Sequence, residues 1–392
     1  MTLLIAVLLA FPPATDASLV KEMLDLATAG PSAQLRDRLG EKAAAIQDPG
    51  IRDRAKEAIG DLVAAADLHV RVDTLRKEVA ELGGKTSVDA GGPPWMRDLA
   101  GADSMKVFDR LVGVSLYLNV NAHAKDYKLN TKIADDWVDR LAGLPHLRSV
   151  DLENTNVKGP GLTPVGTLKT VESLNLTLCP VTDEPLAGLA GLSNLRVLGL
   201  ASTQVTGTGM RFLQDLKKIE NLNLHNTPVN DAGLEWIGKL SSLTRLEIVH
   251  TQFTDAGARS LSGLGSLERL QLGSRKATGA SLAALRELPK LRELDVHDGM
   301  MSAEGFRAVG ALETLTVLRV YGGAAGDDGL RQVAGLRQLE VLVLEGVGAT
   351  DAGLQALAAL PKLRAVTLHE PQVSDAALAR LRIALPGAAI AR

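Results

Sequence analysis

Ten apolar residues fall on one interval: Leu147, Val171, Leu195, Ile219, Leu243, Leu267, Leu291, Leu315, Leu339 and Leu363 are each 24 residues from the next. The same frame surrounds each of them. In "LPHLRSVDLENTNV" it is Leu144, Leu147, Val150, Leu152 and Val157; in "IENLNLHNTPV" it is Ile219, Leu222, Leu224 and Val229. The paired apolar residues stand two apart, so both point to one side of a short strand and the residue between them points to the other. A further apolar residue (Val157, Val181, Val205, Val229, Phe253) then turns back into the core. In "NDAGL", "TDAGA" and "SDAAL", a Ser, Thr, Asn or Asp is placed to cap a short helix. Leu234 and Ile237 follow at i and i+3, and Leu240 closes the turn. One such coil cannot bury its own apolar face, so a period of this kind requires a stack.

The L-x-x-L-x-L frame with its "TxVTDxGLxxL" tail resembles the short-helix leucine-rich repeat proteins common among bacterial extracytoplasmic proteins, and is similar to the repeats of F-box substrate adaptors. The resemblance runs from Leu141 to Leu381. It implies an α/β solenoid, a horseshoe with a parallel sheet on the concave face and short helices on the convex face. It specifies fold closely and function hardly at all. Cys179 takes the place held by Thr155, Thr203, Thr227 and Thr251 in neighbouring coils. Resembling families use Asn, Thr or Cys there to bond backbone of the adjacent coil, which implies a buried structural thiol. From Arg275 the ladder fails, through Gly299, Gly323, Val347 and Pro371, and the last five coils are expected to be less regular.

The remaining chain divides by composition. Residues 1–17 have the outline of a signal peptide: nine apolar residues from Leu3 to Phe11, then a break and Thr15-x-Ala17. Residues 18–90 read as helical, with a seam of Ala65, Leu68, Val72, Leu75, Val79 and Leu82 expected to close as a helical hairpin rather than a dimeric coiled coil. Residues 91–94 ("GGPP") read as a linker. Residues 95–140 form an N-terminal cap with Val114, Leu116 and Leu118 as a strand and "DDWVDRLAGL" as its capped helix. Val114 lies 36 residues before Val150 rather than 24, so this coil carries twelve extra residues near "NAHAKDYKLNTK". Ten repeats fill 141–380, and 381–392 close the stack, Ile390 adding a last half-strand.

At 392 residues the chain exceeds the size at which a single core stops growing. Its net charge of −3 gives no reason to expect nucleic acid. No stretch is long and apolar enough for a membrane span in the mature chain. Catalytic signatures such as GxSxG, GxxxxGK[ST] and HExxH are missing, and a single cysteine leaves no zinc ribbon. No enzymatic activity, cofactor or metal is expected.

The outward strand positions carry the remaining information, because packing does not dictate them. Across three such rows there are seven acids, one base (Arg319) and four of the chain's seven histidines. The candidate binding residues are Asn223, His225, Asn226, Glu247, His250, Gln271, Asp295, His297, Asp298, Arg319, Tyr321 and His369. His225 and His250 lie close enough for one ion with Glu247, but a solvated recognition face explains them with less. Arg319, Tyr321, His369 and Glu370 make a second grouping, since Arg and Tyr anchor interfaces. The expected function is a monomeric, non-enzymatic scaffold outside the cytoplasm, periplasmic or secreted. Its expected partner is a basic or polar protein or peptide, or a surface glycan. The rivals are a structural or self-associating envelope protein using the 65–82 seam, and an F-box-like adaptor.

Overall fold

A computed structural model describes residues 14–117, 130–324, 326–370 and 372–391. The chain divides into two compact units, residues 1–118 with Leu144–Val150, and 119–143 with Asp151–Arg392. Most of the expected leader, Leu118 and residues 121–129 of the expected insertion lie outside the described residues.

The first unit packs helices α1 (Ala14–Thr28), α2 (Leu35–Ala45), α3 (Pro49–Glu57), α4 (Ile59–Glu81) and α5 (Pro94–Ala100). Leu24, Leu39, Leu62 and Met96 are fully buried or nearly so in their shared core. The expected seam lies on α4, which is one unbroken helix and not a hairpin. Val72, Leu75 and Val79 are buried, and α4 packs against α1 and α2. Pro49 starts α3, where its missing N–H costs nothing, and the Asp48 carboxylate caps Ile51 N. Asp16 is fully buried in α1 and accepts from the backbone N–H groups of Gln47 and Asp48, each at 2.9 Å. The "GGPP" stretch is no linker between units, because it lies within the first. A β-carbon on Gly91 would stand 2.1 Å from the Phe108 carbonyl, so only glycine permits that approach. An unexpected strand β1 (Lys85–Asp89) pairs antiparallel with β2 (Arg110–Ser115).

The second unit is a solenoid. Strands β3 (Asn130–Ala134) and β5 (Thr155–Asn156) form a small pair. β4 (Ser149–Asp151) has its first two residues in the first unit; the repeat strands of the second unit begin with β6 (Ser173–Asn175), β7 (Val197–Gly199), β8 (Asn221–Asn223), β9 (Arg245–Thr251) and β10 (Arg269–Ser274). The series ends with β11 (Glu293–His297), β12 (Val317–Tyr321), β13 (Val341–Glu345), β14 (Ala365–His369) and β15 (Ala389–Ala391). From β6 to β15 they pair in chain order, in register with the 24-residue period: Leu198 faces Leu222, and Leu318 faces Leu342. Ile390 pairs with Val366, so a further short strand follows β14. The repeat leucines are almost all buried to within a few per cent.

The "TD" dipeptide works across coils. Thr254 caps its own helix at Ala256 N, while the Asp231 carboxylate of the preceding coil accepts from Thr254 N and Oγ1 at 2.6 and 2.7 Å. Asp183, Asp255, Asp327 and Asp351 do the same for Thr206, Thr278, Thr350 and Ser374. Asp135 does not cap the helix it starts; it accepts from Lys158, Gly159 and Gly161 N in the next coil. The glycine of the motif makes room, since a β-carbon on Gly257 would lie 2.6 Å from Asp231 Cα.

The last five coils were expected to be less regular, yet their strands hold five or six residues where β6, β7 and β8 hold three. β-branched Val317, Val320, Val341, Val343 and Val366 favour the extended backbone there.

Candidate functional site

Each early strand leaves the sheet through a left-handed residue. Asn154, Leu178, Ser202, Asn226 and His250 have φ between 53° and 63°, Asp298 follows at 59°, and glycine takes over at 322 and 346. This row is therefore a turn, and the expectation that it faces solvent fails for three members: Asn154, Ser274 and Glu370 are at most 3% exposed. Behind it the inward hydroxyls bond mainly within their own coil: Thr155, Thr203 and Thr227 each donate to the carbonyl three residues back. Thr251 also reaches Gly273 O in the next coil, and Cys179 Sγ reaches Leu152 O in the preceding one. Burial pushes the Cys179 thiol up, the opposite of what a nucleophile needs.

Position 274 breaks the turn pattern. Strand β10 runs on to Ser274, its register against β9 shifts between Leu272 and Ser274, and the Ser274 hydroxyl turns in to Phe253 O. Gly273 offers no side chain on the outer face, and a β-carbon there would lie 2.6 Å from Asp298 Oδ2. Through that opening Asp298 reaches across a whole coil to His250. Its Oδ2 accepts from His250 N at 3.0 Å and its Oδ1 lies 2.6 Å from His250 Nδ1. The His225 ring meets the His250 ring edge-on, centroids 5.0 Å apart. Burial, then the neighbouring His250, holds His225 below the usual histidine value. Asn226, His250, Thr251, Gln252, Arg275 and Asp298 line an open cleft of about 340 Å³ beside them.

Two further pairs complete the face. The His297 ring stacks on Tyr321 with centroids 4.4 Å apart, and burial lowers His297 and raises Tyr321. Arg319 donates to Asp295 at 2.9 Å and stands 3.9 Å from Glu293, which Arg269 binds at 2.7 Å. Asp295 is only 6% exposed, so it anchors Arg319 more than it meets a partner. Asn223 turns its side-chain oxygen to His225 N, and Asn226 donates to Ser202 Oγ. Gln271 sits half-buried in register between Glu247 and Asp295. Burial pushes Glu247 up, against the pull of Arg269 and Arg245.

The grouping of Arg319, Tyr321, His369 and Glu370 does not form. Glu370 turns inward to accept from Val347, Gly348 and Ala349 N. His369 stands in register with Glu345, apart from the histidine cluster. Among the described residues, no group of three or more His, Cys, Asp and Glu side chains is placed to hold a metal ion, so Glu247 does not complete a site with the two histidines.

Sequence reasoning missed a fourth outward row, the residue before the first leucine: Asn221, Arg245, Arg269 and Glu293 face the same side as Asn223, Glu247, Gln271 and Asp295. Strand alternation was signal enough to find it. This row adds Arg245 and Arg269 but also Glu293, so over all four rows acids still outnumber bases; on β8 to β12 and their turns alone, four acids (Glu247, Glu293, Asp295, Asp298) face three arginines (Arg245, Arg269, Arg319).

A leucine-rich repeat family model matches residues 167–190 and 239–262. Each match is one 24-residue period long, and the two begin three periods apart. No curated protein sequence matches the chain. Among solved structures, an internalin from Listeria monocytogenes is similar at 17% identity and a TM-score of 0.43, over 71% of this chain and 86% of its own. A leucine-rich repeat protein from Leptospira interrogans is similar at 17% identity and a TM-score of 0.38, over 64% and 74%. Its period, its in-register stack of coils and the matching repeat model identify this chain as a leucine-rich repeat protein.

Proposed function

We propose that the chain is a non-enzymatic scaffold that binds a protein or peptide through the outward face of strands β8 to β12. One observation carries this reading: that face holds His225, His250, His297 and Tyr321, paired ring to ring, which the coil frame does not need. A stacked sheet fixes these rings before binding, so little ordering cost remains. Acids and arginines already neutralise one another there, which favours a polar, hydrogen-bonding partner over a simply basic one. The apolar Leu3–Phe11 stretch and the small residues after it support a location outside the cytoplasm. Among the described residues no helix is long and apolar enough to cross a membrane.

Self-association is the second reading. It has one observation in its favour, an open groove of about 460 Å³ on the first unit, lined by Ala64, Ala65, Leu68, Val107 and Phe108.

Affinity capture from an envelope extract tests the main reading, with the whole chain run beside a variant carrying His225→Ala, Glu247→Ala, His297→Ala and Tyr321→Ala. Asp295 is left intact because its ion pair supports the fold. A partner kept by the first and lost by the second supports the reading; equal capture by both overturns it. Sedimentation of the chain alone separates a monomer from the self-associating alternative.

A further inference from the structure

His225 and His250 come from adjacent coils, and their rings lie 71° apart in plane with centroids separated by 5.0 Å. Two imidazoles sharing one tetrahedral ion through metal–nitrogen bonds of about 2.0–2.1 Å also hold their centroids about 5 Å apart. The far side of His250 is fixed by Asp298, whose two oxygens take the ring Nδ1 and the backbone N–H. With Nδ1–H given to that carboxylate, Nε2 is left with its lone pair. A carboxylate behind the ring is the usual support of a metal-binding histidine: it fixes the tautomer and raises the basicity of the free nitrogen. The Asp298 side chain is 4% exposed while that of His250 is 49% exposed, so the support is buried and the ligand open. His225, partly buried on the adjacent coil, offers the second imidazole.

We infer that His225 and His250 together bind one borderline divalent ion, Zn²⁺, Ni²⁺ or Cu²⁺, with Asp298 as the residue that orients His250. No third His, Cys, Asp or Glu side chain joins them among the described residues, so water fills the other positions and the ion exchanges freely. The adjoining cleft admits a hydrated ion, and Arg275 on its rim opposes the charge. The arrangement depends on Gly273, where a β-carbon would stand 2.6 Å from Asp298 Oδ2. The inference goes beyond partner recognition, since the ion binds the chain alone.

The test uses the whole chain without an affinity tag, stripped with chelator and titrated with Zn²⁺ by calorimetry and with Cu²⁺ by electron paramagnetic resonance. One ion per chain and a spectrum with two imidazole nitrogens are expected. His225→Ala and His250→Ala should each weaken binding at least tenfold, and Asp298→Asn by about 10- to 100-fold with the stoichiometry kept. Arg275→Ala should tighten it, a readout that loss of folding cannot imitate. His369→Ala, on a distant coil, should change nothing. Unaltered affinity in the His225 and His250 variants, or no uptake of either ion, overturns the inference.

Discussion

The coils up to Thr251 and those from Gly322 onward close the same turn by different chemistry. In the early set a non-glycine residue takes the left-handed position, and a buried Thr or Cys follows it inward. In the late set Gly322 and Gly346 take that position, and in the coil of Val347, which has no inward hydroxyl, the Glu370 carboxylate accepts from three consecutive backbone N–H groups. The leucine frame does not change between them: Leu222 and Leu342 are both fully buried. Apolar spacing defines the coil, and the freed backbone groups can be met either by hydroxyls donating to carbonyls or by a carboxylate accepting from N–H groups. The His250–Asp298 pair lies where one scheme gives way to the other, and only a break in the ladder leaves room for a carboxylate to cross a coil.

If the frame is common to both regions, Leu222→Ala and Leu342→Ala should each destabilise the chain by about 3 kcal/mol in urea unfolding. A loss several-fold smaller in one of them would show that the two sets of coils unfold separately, and would break the equivalence. The turn chemistry should weigh less and unequally. Glu370→Ala leaves three donors without their acceptor and should cost about 2–3 kcal/mol, whereas Thr227→Val in the early set should cost about 1 kcal/mol. Equal losses would mean that water replaces the Glu370 carboxylate.

Acid should act on both regions, but through different groups. His225 and His297 have depressed values in the folded state, so their contribution is present above their ordinary value of 6.5 and is lost as pH falls through the lower folded value. Asp255, Asp327 and Asp351 are depressed as well. Burial raises Asp255 and Asp327, but bonds from the Thr and Ser of the next coil outweigh it; in Asp351 the Ser374 bonds are the largest effect. Their contribution is present above about pH 4 and is lost below it. Stability should therefore decline in two stages. His225→Gln combined with His297→Gln should flatten only the first, and an unchanged first stage would remove the two histidines as its cause.

Spacing alone made the frame legible, down to Ile390 as the strand after Val366, because a 24-residue repeat leaves little choice about which leucines face inward. It could not reveal what crosses between coils. "TDAG" reads as a local cap, and nothing in those letters says that Asp231 serves Thr254 of the next coil, because the assignment depends on how closely the helices stack. Asp298 bonding to His250 is less legible still. It requires that Gly273 lack a side chain and that Ser274 stay in the strand, and neither follows from periodicity. The row of Arg245, Arg269 and Glu293 was open to view, since alternation places it beside residues already singled out. The strand Lys85–Asp89 was not, because four of its five residues are exposed and it carries no apolar alternation to mark it.

The smallest effect should change sign between the two regions. Leu178 holds φ at 63°, where a β-carbon crowds the following carbonyl at a cost of about 1–2 kcal/mol, and Asn at 154 and 226 shows which side chain the turn tolerates. Leu178→Asn gives up part of a half-buried side chain but relieves that strain, so a net gain of about 0.5 kcal/mol is expected. Gly346 holds φ at 64° in the late set, and Gly346→Ala introduces the strain that Leu178 already bears, for a loss of about 1 kcal/mol. Thermal unfolding of both variants reads the two signs directly. A loss in both would mean that Leu178 contributes more by packing than it costs by conformation, and the turn of the early coils would then be held by its side chains as firmly as the late one is by Glu370.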